Sequence, residues 1–228
     1  MRTWKIWMSV AALALASACG DDSAVVFDDV GPQQDTNVPD TAADNQVEVD
    51  AGPSEFACDW PAPYGAVVGT RMQPIGSATD ENPFELQTCS GETFVFPDAQ
   101  SCESKLTVIS IAAGWCGPCI LESMNFERVI NEGYDVSDVR LIQLIIQTQD
   151  FDPPSLDYCS QWVTRFGLTN TELIDPAQLT QLFFPDNSLP STVIIDRNGM
   201  ILHRENGVSD PDLSSLTNTL NALLRDIE

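Results

Sequence analysis

Trp115-Cys116-Gly117-Pro118-Cys119 is the stretch whose reading decides the fold. An apolar run, Leu106 to Ala113, leads into it. A segment with helical spacing, Ile120, Leu121, Met124, Val129 and Ile130, leads out. That pattern predicts a buried strand followed by a helix. Two cysteines at such a turn imply thiol–disulfide chemistry. Cys116 falls in the first helical turn, where unpaired N–H groups and the positive end of the helix dipole favour an anion. This lowers the thiol pKa from its usual value of about 8.5. The thiolate is the nucleophile, so Cys116 attacks. Cys119, one turn further in and less exposed, resolves the mixed disulfide. Pro118 fits the first turn because its missing N–H had no partner there. Trp115 covers one side of the sulfur pair. Zinc would need further ligands at suitable spacing. The chain has one histidine, His203, and no second Cys-x-x-Cys, so no metal site is expected.

Trp-Cys-Gly-Pro-Cys after a buried strand resembles the thioredoxin-family motif. A second resemblance lies downstream, Leu189-Pro190-Ser191-Thr192-Val193-Ile194-Ile195-Asp196, a proline just before a central strand. The likeness covers roughly residues 80 to 228. Within the superfamily the chain is most similar to the extracytoplasmic, membrane-tethered TlpA-like reductases. The resemblance implies that Pro190 is cis and lies against the cysteines. It also implies that the backbone of Leu189 pairs with an extended substrate segment, with Trp115 beside it. TlpA-like reductases often carry a glutamate at the position of Glu122, near the buried cysteine. A carboxylate there with a raised pKa takes the Cys119 proton as the mixed disulfide resolves. The family's usual proline two residues later is replaced by Met124. Read from the residues alone, Glu122 is equally a solvated helix glutamate. Gly117-Pro118 resembles general reductases more than strong oxidants, so the expected direction is reduction of disulfides in envelope proteins, with an envelope electron donor and no cofactor. An oxidase or isomerase, or a redox-silent module that binds peptide beside Pro190, are the other readings. The peroxidase motif is absent: Ala113 and Ile109 stand where it needs threonine and proline. Copper-delivering relatives have three residues between the cysteines, and here there are two. His203 is therefore read as structural.

Outward from the motif, Phe84 to Leu86 and Thr93 to Phe96 read as two short strands around Ser90-Gly91. Lys105 to Ala113 and Val139 to Gln147 read as buried strands of a parallel sheet. Helices are expected from about Cys119 to Asn131, stopped by Gly133, and from Ser155 to Phe166, stopped by Gly167. Leu173-Ile174 reads as a short strand and Gln178 to Phe183 as a short helix. Thr192 to Asp196 and Met200 to Arg204 flank the turn signal Arg197-Asn198-Gly199. Asp210 to Ile227 reads as a closing amphipathic helix. The expected fold is a thioredoxin-like three-layer α/β sandwich with an N-terminal β-hairpin extension. It spans residues 56–228, with an irregular lead-in at 56–79.

Before it come two other segments. Residues 1–19 have a basic start, Arg2 and Lys5, and an apolar run, Ile6 to Leu15, too short to span a membrane as a mature helix. Ala16-Ser17-Ala18 fits signal cleavage. With Cys19 it resembles a bacterial lipobox, which implies lipidation of Cys19 and anchoring by the N-terminal lipid on the periplasmic face of the cell envelope; the protein is expected to be a monomer. Ala16 departs from the usual leucine, and plain secretion is the alternative. Gly20, rather than Asp, points to the outer membrane by the same resemblance. Residues 20–55 hold ten acidic residues and no Lys or Arg. Such a spacer cannot bury enough surface to offset its ordering entropy. As a coil it spans about 30 to 35 Å.

The net charge of −24, from 34 acidic and 10 basic residues, excludes nucleic acid as a partner. Seven cysteines suit an oxidising compartment. With Cys19 and the Cys116–Cys119 pair set aside, Cys58, Cys89, Cys102 and Cys159 form two structural disulfides with three possible connectivities. Cys89 and Cys102 flank the second hairpin strand, which favours pairing them with each other and Cys58 with Cys159. A second redox pair is the rival reading.

Overall fold

The two apolar runs around the motif lie side by side at the centre of one sheet. The computed structural model describes residues 57–75, 78–79, 82–83, 86–178, 180, 188–207, 210 and 212–227. The signal segment, Cys19, the acidic spacer and most of the expected helix at Gln178 to Phe183 lie outside the described residues. The strands are β1 (Ala78–Thr79), β2 (Asn82–Pro83), β3 (Leu86–Thr88), β4 (Thr93–Phe94), β5 (Leu106–Ala113), β6 (Val139–Gln147), β7 (Thr171–Ile174), β8 (Ser191–Asp196) and β9 (Ile201–Asn206). The helices are α1 (Ala99–Glu103), α2 (Gly117–Phe126), α3 (Leu156–Phe166) and α4 (Ser214–Asp226). Strands β1 and β2 pair with each other, and the other seven form a sheet in the order β4-β3-β7-β6-β5-β8-β9. Strands β5, β6 and β7 run parallel; β8 on one side and β3 on the other are antiparallel to them, and the edge strands β9 and β4 pair antiparallel with β8 and β3 and so run in the same direction as the central three. Every residue of β5 is buried, as a strand covered on both faces requires.

Alternation along the strands sorts the two faces. On one, Gln143 of β6 accepts from Trp162 Nε1 of α3 at 2.9 Å and donates to Ser123 Oγ of α2 at 3.0 Å. Leu213 and Leu216 of the α4 region close over the same face, beside Thr192. On the other, Met72 and Ile75 of the lead-in pack with Leu86, Phe96, Ile109, Ile142 and Leu144 around a small apolar void. Helix α1 covers this second face too. It was not foreseen, because five residues give no periodicity. Asp98 caps it, accepting from Ser101 N at 3.1 Å, and also pairs with the buried Arg140 of β6.

Three element ends differ from expectation for local reasons. Helix α2 starts at Gly117 because Cys116 is itself the N-cap, and it runs on through a π-helical turn, Glu127–Asn131. Strand β3 runs on to Thr88, two residues past the expected end at Leu86, because it pairs with both β4 and β7; Phe84 and Glu85 of the expected strand lie outside the described residues. Helix α4 starts at Ser214, not Asp210. Leu213 turns to a φ of 60°, and the Asp210 carboxylate reaches forward to accept from Ser214 N at 2.7 Å and Ser215 N at 2.9 Å. The aspartate caps the helix without joining it.

The lead-in is pinned to the β8–β9 turn. Trp60 is buried, donates from Nε1 to the Arg197 carbonyl at 3.1 Å, and meets Phe96 edge-on at 5.1 Å. Gly199 has a φ of +74°, and a Cβ there would lie 2.5 Å from the Trp60 ring. Both terms oppose a side chain. Gly199→Ala is expected to lower unfolding free energy by about 2 to 4 kcal/mol, read from the urea midpoint. An unchanged midpoint would show that the lead-in is not packed on this turn.

Candidate active site

Strand β5 delivers the chain to the sulfurs through Gly114. A Cβ there would lie 2.0 Å from Tyr158 Oη and 2.6 Å from the Gln149 nitrogen, so only glycine lets the strand pass under α3. Cys116 then caps α2. Its Sγ accepts the Cys119 N–H at 3.2 Å, and it is disulfide-bonded to Cys119, with 5.3 Å between the Cα atoms. The same N–H and the helix dipole would stabilise a Cys116 thiolate once the bond is reduced. Both sulfur-bearing residues are buried in this oxidised form, Cys116 at 3% and Cys119 at 0% exposure.

Trp115 is 41% exposed beside the pair. Its Nε1 donates to Gln147 Oε1 at 2.9 Å, and its ring stacks on Phe151 at 5.2 Å and 19°. Gln147 Nε2 in turn donates to the Phe151 carbonyl at 3.2 Å. Phe151 is 63% exposed and sits at a φ of 66°, in the left-handed region. The two rings form an apolar ledge next to Cys116. Gln147 and Phe151 were not singled out from sequence, since only the fold of the loop after β6 brings them to Trp115.

The Leu189–Pro190 peptide is cis. Ser191 pairs with Ile111 of β5, which puts this peptide at the same end of the sheet as Cys116. The Pro190 carbonyl accepts from Gly207 N at 2.8 Å. Leu189 is half-buried and Pro190 buried.

Glu122 is not a solvated helix residue. It is 6% exposed, and its Oε2 has no hydrogen-bond partner among the described residues. Burial, and after it the nearby charge of Glu205, pushes its carboxyl up from the usual 4.5 to about 8. It lies one turn beyond Cys119, beside Ser123, whose hydroxyl donates to the Cys119 carbonyl at 2.9 Å. A carboxyl so placed can hold or release a proton at neutral pH.

The other four cysteines correct the expected pairing. Cys58 is bonded to Cys102 and Cys89 to Cys159, with Cα separations of 5.9 and 5.2 Å. Helix α1 carries Cys102 back toward the lead-in, where Ala57 N donates to the Pro97 carbonyl at 3.2 Å. Cys89 follows β3, and β3 lies beside β7, so Cys89 meets the helix that precedes β7. His203 is on β9, opposite Ile194, with its Nε2 3.9 Å from Glu205 Oε2.

The redoxin family description matches residues 68–220. The thiol:disulfide interchange protein HelX of Rhodobacter capsulatus is 26% identical over 151 residues, 66% of this chain and 79% of that protein. A solved putative protein disulfide isomerase from Bacteroides thetaiotaomicron superposes with a TM-score of 0.54 at 21% identity, over 71% of this chain and 92% of that one. A putative thiol:disulfide interchange protein DsbE from Chlorobium tepidum superposes with a TM-score of 0.51 at 21% identity, over 62% and 92%. The fold is thioredoxin-like.

Proposed function

The chain belongs to the redoxin family and is a thiol–disulfide oxidoreductase, and we propose that it works as a reductant of disulfides in cell-envelope proteins through Cys116 and Cys119. The observation that carries this reading is the pairing of a helix-capping Cys116 sulfur with a carboxyl buried one turn beyond Cys119. In the reduced form the Cys116 thiolate attacks one sulfur of a client disulfide. The other client sulfur leaves as a thiolate and takes a proton from solvent. The Glu122 carboxylate takes the Cys119 proton, and the Cys119 thiolate attacks Cys116 Sγ. The second client sulfur is released, and the Cys116–Cys119 disulfide remains. A dithiol donor in the envelope then returns two electrons. The Trp115–Phe151 ledge and the cis peptide at Leu189–Pro190 flank the path along which an extended client segment would lie. Residues 1–19 and the spacer 20–55 support secretion with a lipid on Cys19, which would hold the monomer off a membrane, the outer one in the reading of Gly20.

The direction is tested by equilibrating the pair against glutathione buffers and following Trp115 fluorescence, with Cys116→Ser as control. A reduction potential near about −270 mV is expected for a reductant. A value near about −120 mV would make the protein an oxidant. No reversible transition would leave only the peptide-binding module.

A further inference from the structure

The face of the sheet beneath α2 carries a row of polar residues where a hydrophobic core is the rule. Cross-strand partners share a face. Glu205 of β9 is opposite Thr192 of β8, Thr192 is opposite Ser110 of β5, Ser110 is opposite Gln143 of β6, and Gln143 is opposite Glu172 of β7. Five strands thus contribute one polar residue each to a single transverse line. The Ser110 hydroxyl has no hydrogen-bond partner among the described residues, which is costly in a core and not explained by packing.

One end of this line opens into a small cavity. Glu122, Thr192, Glu205, Gly207, Asp210, Leu213 and Leu216 surround it. Its volume of about 10 Å³, taken as space open to a water's centre, is room for one molecule. Polar partners on several sides make it a site that water would occupy. The Glu122 Oε2 at this cavity is a buried group without a hydrogen-bond partner among the described residues. Glu205 is also partly exposed, at 24% of its side chain, on the edge strand β9. It therefore faces the cavity and solvent at once. On its other side is His203, 3.9 Å away and the only histidine in the chain.

We propose that Glu205 is a positioning residue that passes protons between Glu122 and solvent across this cavity. The proposal rests on the reading of Cys116–Cys119 as a working dithiol with Glu122 as its proton acceptor. A proton taken from Cys119 cannot stay on Glu122, because the next cycle needs the carboxylate. The route returns it: Glu122 gives the proton to the cavity water, the water gives one to the Glu205 carboxylate, and Glu205 gives one to bulk solvent. No electrons move, and each carboxylate ends as it began. The titratable groups facing Glu122 are Cys119 on its own helix, Glu205 from β9 and Asp210 from the segment before α4. Thr192, Leu213 and Leu216 complete the walls without charge.

The test is the single-turnover oxidation of the reduced full-length chain by oxidised glutathione, followed by Trp115 fluorescence from pH 5 to 10, in wild type, Glu205→Gln and Glu205→Asp. Removing the Glu205 charge makes the Glu122 carboxylate easier to form, so the inflection in the pH–rate profile is expected to move down in Glu205→Gln. The rate above the inflection is expected to fall by roughly tenfold, less than the loss of a direct acid–base group, since water can partly substitute. Glu205→Asp is expected to restore the rate to within about threefold. A Glu205→Gln profile that superposes on wild type overturns the proposal and leaves the dithiol reading intact. A wild type that does not react overturns both. Loss in Glu205→Gln and Glu205→Asp alike, with no shift of inflection, marks a purely structural glutamate and also overturns the proposal.

Discussion

Cys119→Ser is expected to stop the reaction at a covalent complex between Cys116 and its client. The first half of the cycle does not need the second sulfur. Cys116 keeps its place at the N-cap of α2, because the group that its Sγ accepts from is the backbone N–H of residue 119 and survives the substitution. Attack on a client disulfide should therefore proceed at a rate close to wild type. Resolution cannot, since serine forms no disulfide. Turnover should fall by more than roughly three orders of magnitude, the scale seen when a member of a catalytic unit is removed. The adduct should accumulate as one new species per chain, seen by mass spectrometry without reductant and dissolved by added dithiothreitol. Cys116→Ser should lose turnover equally and form no adduct. Adducts in the Cys116→Ser variant, or none in Cys119→Ser, would reverse or abolish the assigned roles. Because the two structural disulfides tie down all four other described cysteines, they should not contribute adducts of their own.

What could be read from sequence was what is local. The motif, the continuous apolar runs of β5 and β6, the capped helix α3 and the β8–β9 turn are each set by neighbours in the chain. The Ser155 cap and the Gly167 stop with its φ of 66° show how short-range signals mark both ends of α3. The cysteine pairing failed because it depends on where β3 lies. Two hairpin strands do not reveal that β3 sits beside β7, and without that contact Cys89 and Cys159 have no reason to meet. Helix α1 was missed with it, so Cys102 appeared closer to Cys89 than to Cys58. Glu122 marks the same boundary inside the site. Its position one turn from Cys119 is legible, but its burial depends on Thr192 and Glu205 in strands 70 and more residues away and on the closing helix.

Glu122 gives the other large effect, and its sign follows from linkage. In the unfolded chain its carboxyl titrates near the usual 4.5, and in the folded protein near 8. Between these values the folded state binds the proton and the unfolded state does not, so stability falls as pH rises through this window. It is fully present below about pH 4.5 and lost by about pH 8. At 1.36 kcal/mol per unit the difference is of the order of 3 to 5 kcal/mol. Glu122→Gln, which cannot ionise, should flatten that decline, so the variant should exceed wild type in urea midpoint at pH 9 by more than at pH 5. Activity should move the other way. In the proposed cycle the carboxylate takes the Cys119 proton, so wild-type turnover should rise with pH and level off above about 8. Glu122→Gln should lose that inflection and about 10²-fold of the plateau rate, the lower end of what a positioned base contributes. The two measurements check each other. A variant that is more stable and slower, each with the same pH window, can only have lost a buried ionisable group that the chemistry uses. A variant whose stability changes as stated while its pH–rate profile matches wild type would leave Glu122 as a costly core residue and take the proton acceptor elsewhere.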